Sequence, residues 1–196
     1  RQAASETGRH VHLEIQDGRI EMDRGVLDRM TPAFEHLLRN AVVHGIEPPA
    51  DRVAAGKDPT GRIQVTLAHE GNDVSVTFLD DGAGLHLGRI RDKAFAQGLL
   101  REGELLDEEG AANLIFLPGF STAVEVTELA GRGIGMDVVQ AEVHALGGRI
   151  ETQTRPGEGM RFLLVLPLTM AVTQVVMVRC GTLTFGLPAH LVEVIH

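Results

Sequence analysis

Val11, Leu13 and Ile15 alternate with polar residues, Asp17-Gly18 offers a turn, and Ile20 and Met22 alternate again. This pattern predicts a β-hairpin over residues 11–22. A helical period follows, with Thr31 as its cap, Pro32 at the first helical position, a run to about His44 and an exit at Gly45. Residues 62–80 form a second predicted hairpin: Ile63, Val65 and Leu67 share one face with Val74, Val76 and Phe78 across a Gly71-Asn72 turn. Helices are predicted over residues 87–97 and 107–116, and a long loop over 117–131. Met136, Val139, Val143 and Leu146 make the stripe of another helix, ending at Gly147-Gly148. A third hairpin runs from 149–154 through Pro156-Gly157 to 160–166, and two further strands are predicted at 172–179 and 182–187. Hairpins interspersed with helices imply an α+β fold, a sheet covered by helices on one face.

Composition narrows the function. The 196 residues carry a formal net charge of −9, which argues against unspecific binding to nucleic acid or to an anionic membrane. Trp and Tyr are absent, so the core must be built from aliphatic residues, Met and 7 Phe. The single Cys180 forms no internal disulfide, and no apolar run has the length of a membrane span. A first residue that is Arg, and no secretory h-region, lead to the expectation of a cytoplasmic fragment of a longer protein.

Four segments carry candidate chemistry. In HLLRNAVVHGIE (36–47), His36, Asn40 and His44 are spaced four apart and stack on one helix face. The Asn40 amide oxygen is a hard, neutral ligand suited to Mg²⁺, although such a row equally describes a solvated face. In DDGAG (80–84), Asp80 ends a strand before Gly82 and Gly84. A buried carboxylate accepts from the exocyclic amino group of adenine, and glycines admit a flat base; a plain Asp-Gly turn is the alternative. In GRGIGMDVV (131–139), Gly131, Gly133 and Gly135 lead into a helix beginning near Met136, with Arg132 adding a cation. Unpaired amides at a helix N-terminus suit phosphates, and a flexible linker is the competing account. This run is neither the GxxxxGK[ST] loop nor GxGxxG. In FLPGFST (116–122), two Phe bracket Pro-Gly, leaving Ser121 and Thr122 free to reach a ligand.

Together these segments resemble the ATP-binding domain of the two-component histidine kinases, in the chemotaxis kinase CheA branch. HLLRNAVVHGIE resembles the N box of that family, DDGAG its G1 box, LPGFST its F box, GRGIGMDVV its G2 box and GEG (157–159) its G3 turn. The resemblance implies a two-layer α/β sandwich of Bergerat type, with a mixed, largely antiparallel sheet and a mobile ATP lid over about 120–130. It implies ATP and Mg²⁺ as cofactors, and ATP-dependent phosphorylation of a histidine on a separate phosphotransfer domain. Asn40 would ligate Mg²⁺, Asp80 would hold the adenine amino group, the three glycines would contact phosphates, and His36 and His44 would lie near the metal and γ-phosphate. LPLTMAV (166–172) resembles the junction to a domain that binds the CheW adaptor. The expected division is a catalytic domain over 1–168 and the first strands of a CheW-like domain over 169–196, although 172–178 could instead complete the first sheet. Expected partners are the phosphotransfer domain, a CheW-like adaptor and response regulators, in chemotaxis or pilus-based motility, with dimerisation through a domain outside this chain.

Three positions depart from the family pattern: Val43 stands where Asp is common, Met160 where Thr is usual, and Ala130 where Ser is usual. Val43 and Met160 motivate an alternative, a nucleotide-binding scaffold that has lost catalysis. A further alternative is an ATPase of the gyrase, Hsp90 or MutL kind. Those proteins place a Glu one turn before the Asn, where this chain has His36, while Glu35 points about 100° around the helix.

Overall fold

The computed structural model describes residues 2–17, 20–101, 107–120, 135–168, 175–180 and 183–188. Seven described strands are β1 (Val11–Asp17), β2 (Gly61–Glu70), β3 (Asp73–Asp80), β4 (Arg149–Arg155), β5 (Gly159–Pro167), β6 (Val175–Cys180) and β7 (Leu183–Pro188). Helices are α1 (Gln2–Thr7), α2 (Arg24–Asn40), α3 (Pro49–Ala54), α4 (Leu87–Ala96), α5 (Glu108–Leu114) and α6 (Met136–Ala145), with a π-helical turn at Ala41–Gly45.

Strands β1 to β5 form one sheet in the order β1-β2-β3-β5-β4, and among the described residues β6 pairs with β7 in a separate two-stranded sheet. The β1–β2 pair is parallel and the other pairs are antiparallel, the mixed sheet that was expected. The second and third predicted hairpins are present, with Val65 opposite Phe78 in β2–β3 and Ile150 opposite Leu164 in β4–β5, and β3 joins them by pairing with β5, Val76 opposite Leu164 and Phe78 opposite Phe162. Strict alternation fixes this register, because a slip of one residue would turn every apolar side chain outward.

α2 and α6 cover one face of the sheet. Val26, Met30, Ala33 and Leu37 of α2 and Val139 and Val143 of α6 join Val65, Val74, Val76, Phe78, Phe162, Leu164 and Leu166 in the main core. A smaller cluster under α4 contains Ile90, Ala94 and Phe120. No described helix is long and apolar enough to cross a membrane.

Two expectations are corrected. β1 is not half of a hairpin: it pairs in parallel with β2, and residues 20–23 form no strand. Ile20 and Met22 alternate because they pack on the main core as the extended lead-in to α2. Nor does the helix begin at Pro32. It begins at Arg24, where the Asp23 carboxylate accepts from the amides of Gly25 (2.7 Å) and Val26 (3.3 Å). Thr31 lies inside the helix and donates to the Leu27 carbonyl at 2.9 Å. An interior proline costs about 3 kcal/mol or more. Burying Val26 and Met30 completely, at about 1.5–3 kcal/mol each, outweighs that cost. The helix tightly continues into the π-helical turn, closed by a bond from the Ile46 amide to the Ala41 carbonyl at 2.8 Å. Gly45 leaves without a positive φ, and Ile46 is extended (φ −74, ψ 126). α1 and α3 are short elements that hydropathy patterning did not predict.

Candidate functional site

Helix α2 brings His36 and Asn40 into contact, as their spacing predicts. Asn40 Nδ2 lies 3.0 Å from His36 Nε2 and 3.3 Å from Met136 Sδ, at the start of α6. The amide nitrogen thus faces protein, which directs Oδ1 away as an oxygen donor. Burial pushes the His36 imidazole below its ordinary value; His44 and Arg39 act the same way, and Asp137 opposes them. A neutral His36 is the form that can accept the Asn40 hydrogen at Nε2. His44 lies one turn further, in the π-helical segment, with its surface largely exposed. Partial desolvation, then the Arg9 charge, lowers it too.

Asp80 ends β3 in a buried position, 5% exposed. Its Oδ1 accepts from the Gly82 amide at 2.9 Å. Burial raises the carboxyl to about 6; the charges of Asp81 and Glu47 add to this, while backbone bonds from Gly82 and Met160 oppose it. An ionised carboxylate has about four acceptor positions, so two backbone donors leave capacity for a ligand's amino group.

The glycines around Asp80 also have a structural role. A side chain on Gly82 would run into the Gly45 carbonyl, and one on Gly84 (φ +68) would lie 2.6 Å from the Arg155 carbonyl oxygen. Their absent side chains let backbone approach backbone. Ala83 donates to the Gly45 carbonyl (2.9 Å), Gly157 to the Ala83 carbonyl (2.8 Å), and Leu85 to Thr154 Oγ1 (2.9 Å). The loop after Asp80 is therefore clasped between the π-helical turn that follows α2 and the β4–β5 turn. Gly45 also borders the carboxylate directly, since a side chain there would meet both Asp80 oxygens at 3.2 Å.

Gly135 is the N-cap of α6, in extended conformation, with Asp137 in the first turn. Met136 is half-buried against the core and Asn40. Ser121, Thr122, Gly131, Arg132 and Gly133, with Ala130 and the expected lid beyond Phe120, lie outside the described residues. Among the departures, Val43 is half-buried in the π-helical turn, and Met160 pairs with Asp80 across β3–β5. The Met160 backbone thus supports Asp80 without a side-chain hydroxyl.

Sequence reasoning missed a polar group behind the loop. Arg52, 1% exposed, pairs with Glu47 (3.0 Å) and Asp81 (2.9 Å), and Lys57 pairs with Glu47 (2.7 Å). Burial works against the charge on Glu47, yet hydrogen bonds from Lys57 and Arg52 hold its carboxyl below the ordinary value. The only available signal was the spacing of five between Glu47, Arg52 and Lys57, which otherwise describes a solvated surface.

A group of three His, Cys, Asp or Glu side chains able to hold a metal is absent among the described residues. The donor set instead fits a cation that takes one protein oxygen, at Asn40, and completes its shell with water and phosphate, as Mg²⁺ does.

The family model described as histidine kinase-, DNA gyrase B-, and HSP90-like ATPase matches residues 25–170. A chemotaxis protein CheA of Rhizobium meliloti is 40% identical over 96% of this chain and 25% of its own length. A chemotaxis protein CheA of Bacillus subtilis is 37% identical over 96% of this chain and 28% of its own. A gliding motility regulatory protein of Myxococcus xanthus is 39% identical over 100% of this chain and 25% of its own. The chain thus spans about a quarter of the length of these relatives. With Asp80 buried at a strand end, Asn40 on the facing helix and the family match running through both, the chain belongs to the histidine kinase-, DNA gyrase B- and HSP90-like ATPases, as an ATP-binding domain of the CheA type.

Proposed function

We propose that this chain is the catalytic domain of a chemotaxis-type histidine kinase, transferring the γ-phosphoryl group of ATP to a histidine on a separate phosphotransfer domain. The observation that carries this reading is the pairing of a buried, desolvated Asp80 with an Asn40 whose amide nitrogen is engaged by His36. Asp80 orients the purine by accepting from its amino group. Asn40 offers Oδ1 to Mg²⁺, whose charge offsets that of the phosphates. Gly135 and the start of α6, with Gly131, Arg132 and Gly133, receive the phosphate end, and Ser121 and Thr122 reach it from the lid. His36 holds Asn40 in register, and His44 borders the same end. Phosphoryl transfer needs positioning and electrostatics more than covalent participation by the enzyme, and these groups supply both.

The reading extends to partners. A phosphotransfer domain supplies the acceptor imidazole, response regulators receive the phosphoryl group, and a CheW-like adaptor docks on a domain begun by β6 and β7. The separate pairing of β6 with β7 supports a division near residue 168. Dimerisation belongs to a region outside this chain.

The test is phosphotransfer in trans. The chain, Mg²⁺, labelled ATP and a purified phosphotransfer domain should yield acid-labile, base-stable phosphohistidine. Failure to bind ATP even at millimolar concentration would end this reading. ATP binding without transfer would favour the scaffold alternative that Val43 and Met160 motivate. Steady hydrolysis without an acceptor would favour the ATPase alternative, for which the exposed Glu35 offers no suitably placed base.

A further inference from the structure

We propose that Lys57, backed by Glu47 and Arg52, is a positioning residue that sets the purine selectivity of Asp80. The inference rests on the purine-site reading above and extends it to a group that touches no nucleotide.

Lys57 Nζ donates to the carbonyls of Asp81 (3.0 Å) and Gly82 (2.8 Å). A trans peptide points its C=O and N–H in opposite directions. The peptide whose carbonyl is Asp81's carries the Gly82 amide on its other side, and that amide donates to Asp80 Oδ1. The next peptide carries the Ala83 amide, which donates to the Gly45 carbonyl. One ammonium group therefore orients two successive peptides. One fixes the Asp80 carboxylate, and the other holds the glycine wall beside it.

The remaining contacts hold Lys57 and the loop from behind. Glu47 Oε1 accepts from Lys57 at 2.7 Å and Glu47 Oε2 from Arg52 at 3.0 Å. Arg52 also donates to the Asp58 carbonyl (2.7 Å), the Asp81 carbonyl (3.2 Å) and Asp81 Oδ2 (2.9 Å). The Arg62 amide donates to Asp81 Oδ1 at 2.8 Å. A buried guanidinium is expensive to desolvate and contributes weakly to net stability compared with apolar packing. Here its hydrogen bonds converge on the segment that follows Asp80, which ties it to the geometry of that carboxylate.

The experiment compares ATP with inosine triphosphate, which presents an acceptor where adenine presents its amino group. Affinities of both are measured by calorimetry for the unaltered chain, Lys57→Met and Lys57→Arg, alongside thermal melting. Lys57→Met is expected to lower the ratio of ATP to inosine triphosphate affinity by about tenfold, the scale of one misaligned charge-assisted hydrogen bond. Lys57→Arg, which retains donors for both carbonyls, is expected to restore most of the ratio. An unchanged ratio in folded Lys57→Met would overturn the proposal even if melting fell, because a purely structural role moves both affinities together. Should Lys57→Met fail to fold, Glu47→Gln decides: a lowered ratio supports the role and an unchanged one overturns it. Absence of ATP binding by the unaltered chain would instead remove the purine-site reading itself, and this role with it.

Discussion

The side-chain nitrogen of Asn40 stands 3.0 Å from Nε2 of His36, one helical turn earlier on α2. The contact makes the oxygen of Asn40 the atom left to a ligand, and it holds only while His36 is neutral. Burial favours that neutral form. A pair of polar residues that could have been a solvated face is thus an oriented one.

Replacement of Asn40 by Ala should separate metal dependence from folding. The side chain is only half-buried, and Ala is the better helix former, so unfolding free energy should change by about 1 kcal/mol or less. Mg²⁺ should no longer strengthen ATP binding, while metal-free ADP should bind nearly as before. Calorimetric titrations with and without Mg²⁺ make the comparison, and a preserved Mg²⁺ effect would rule out the ligand role.

Gly82 should be intolerant of any side chain. A methyl group there would overlap the Gly45 carbonyl and come within 2.8 Å of Asp80 Oδ1. Because the obstacle is backbone and not a flexible side chain, the cost lies at or above the upper end of the about 1–3 kcal/mol typical of overpacking. Gly71 (φ +65) has open space around it, so Ala there should cost only the left-handed backbone penalty, about 1–2 kcal/mol. Urea unfolding should therefore rank Gly82→Ala as the more damaging. Only that variant should also lose nucleotide affinity.

What was legible in the sequence was whatever depends on local period. The hairpin joining β2 and β3 was readable because Ile63, Val65, Leu67, Val74, Val76 and Phe78 alternate around Gly71-Asn72. The same alternation at Ile20 and Met22 misled, because periodicity reports which face is buried and not which strand is the partner. Pro32 marks no boundary, because tertiary burial, which no local rule registers, outweighs it. Asn40 and Asp80 were found because their chemistry is local to a motif. The Glu47, Arg52 and Lys57 group was missed because its targets, Asp81 and Gly82, are distant in sequence and only the fold unites them.

The true start of α2 can be tested directly. Asp23→Ala removes the acceptor for the Gly25 and Val26 amides and should destabilise the domain by about 1 kcal/mol. Thr31→Ala, within the helix and exposed, should change it by about 0.5 kcal/mol or less. Denaturant midpoints with unchanged slopes provide the measurement. The reverse order would restore Thr31 as the cap.

Asp80 links function to pH with a sign that runs against stability. Its carboxyl rises from 3.8 to about 6 in the folded chain, so folding favours the protonated form. Its relative contribution to stability is full below 3.8 and is lost as pH rises through 6. Above that, the folded chain holds a buried carboxylate at a cost of at most about 3 kcal/mol. Asp80→Asn keeps the shape and an acceptor for Gly82 but removes the charge. The nucleotide-free variant should therefore be more stable than the parent at pH 7.5, by about 1–3 kcal/mol, and the gain should vanish near pH 4. ATP binding needs the ionised form as acceptor, so affinity in the parent should fall as pH drops through 6, and the variant should bind at least about tenfold more weakly at neutral pH. Urea titrations at both pH values, with calorimetry at neutral pH, test the two halves together. A variant less stable than the parent at pH 7.5 would mean that Asp80 is retained for folding, whereas stability gained and ATP lost would mark a carboxylate kept for its ligand at the expense of the fold.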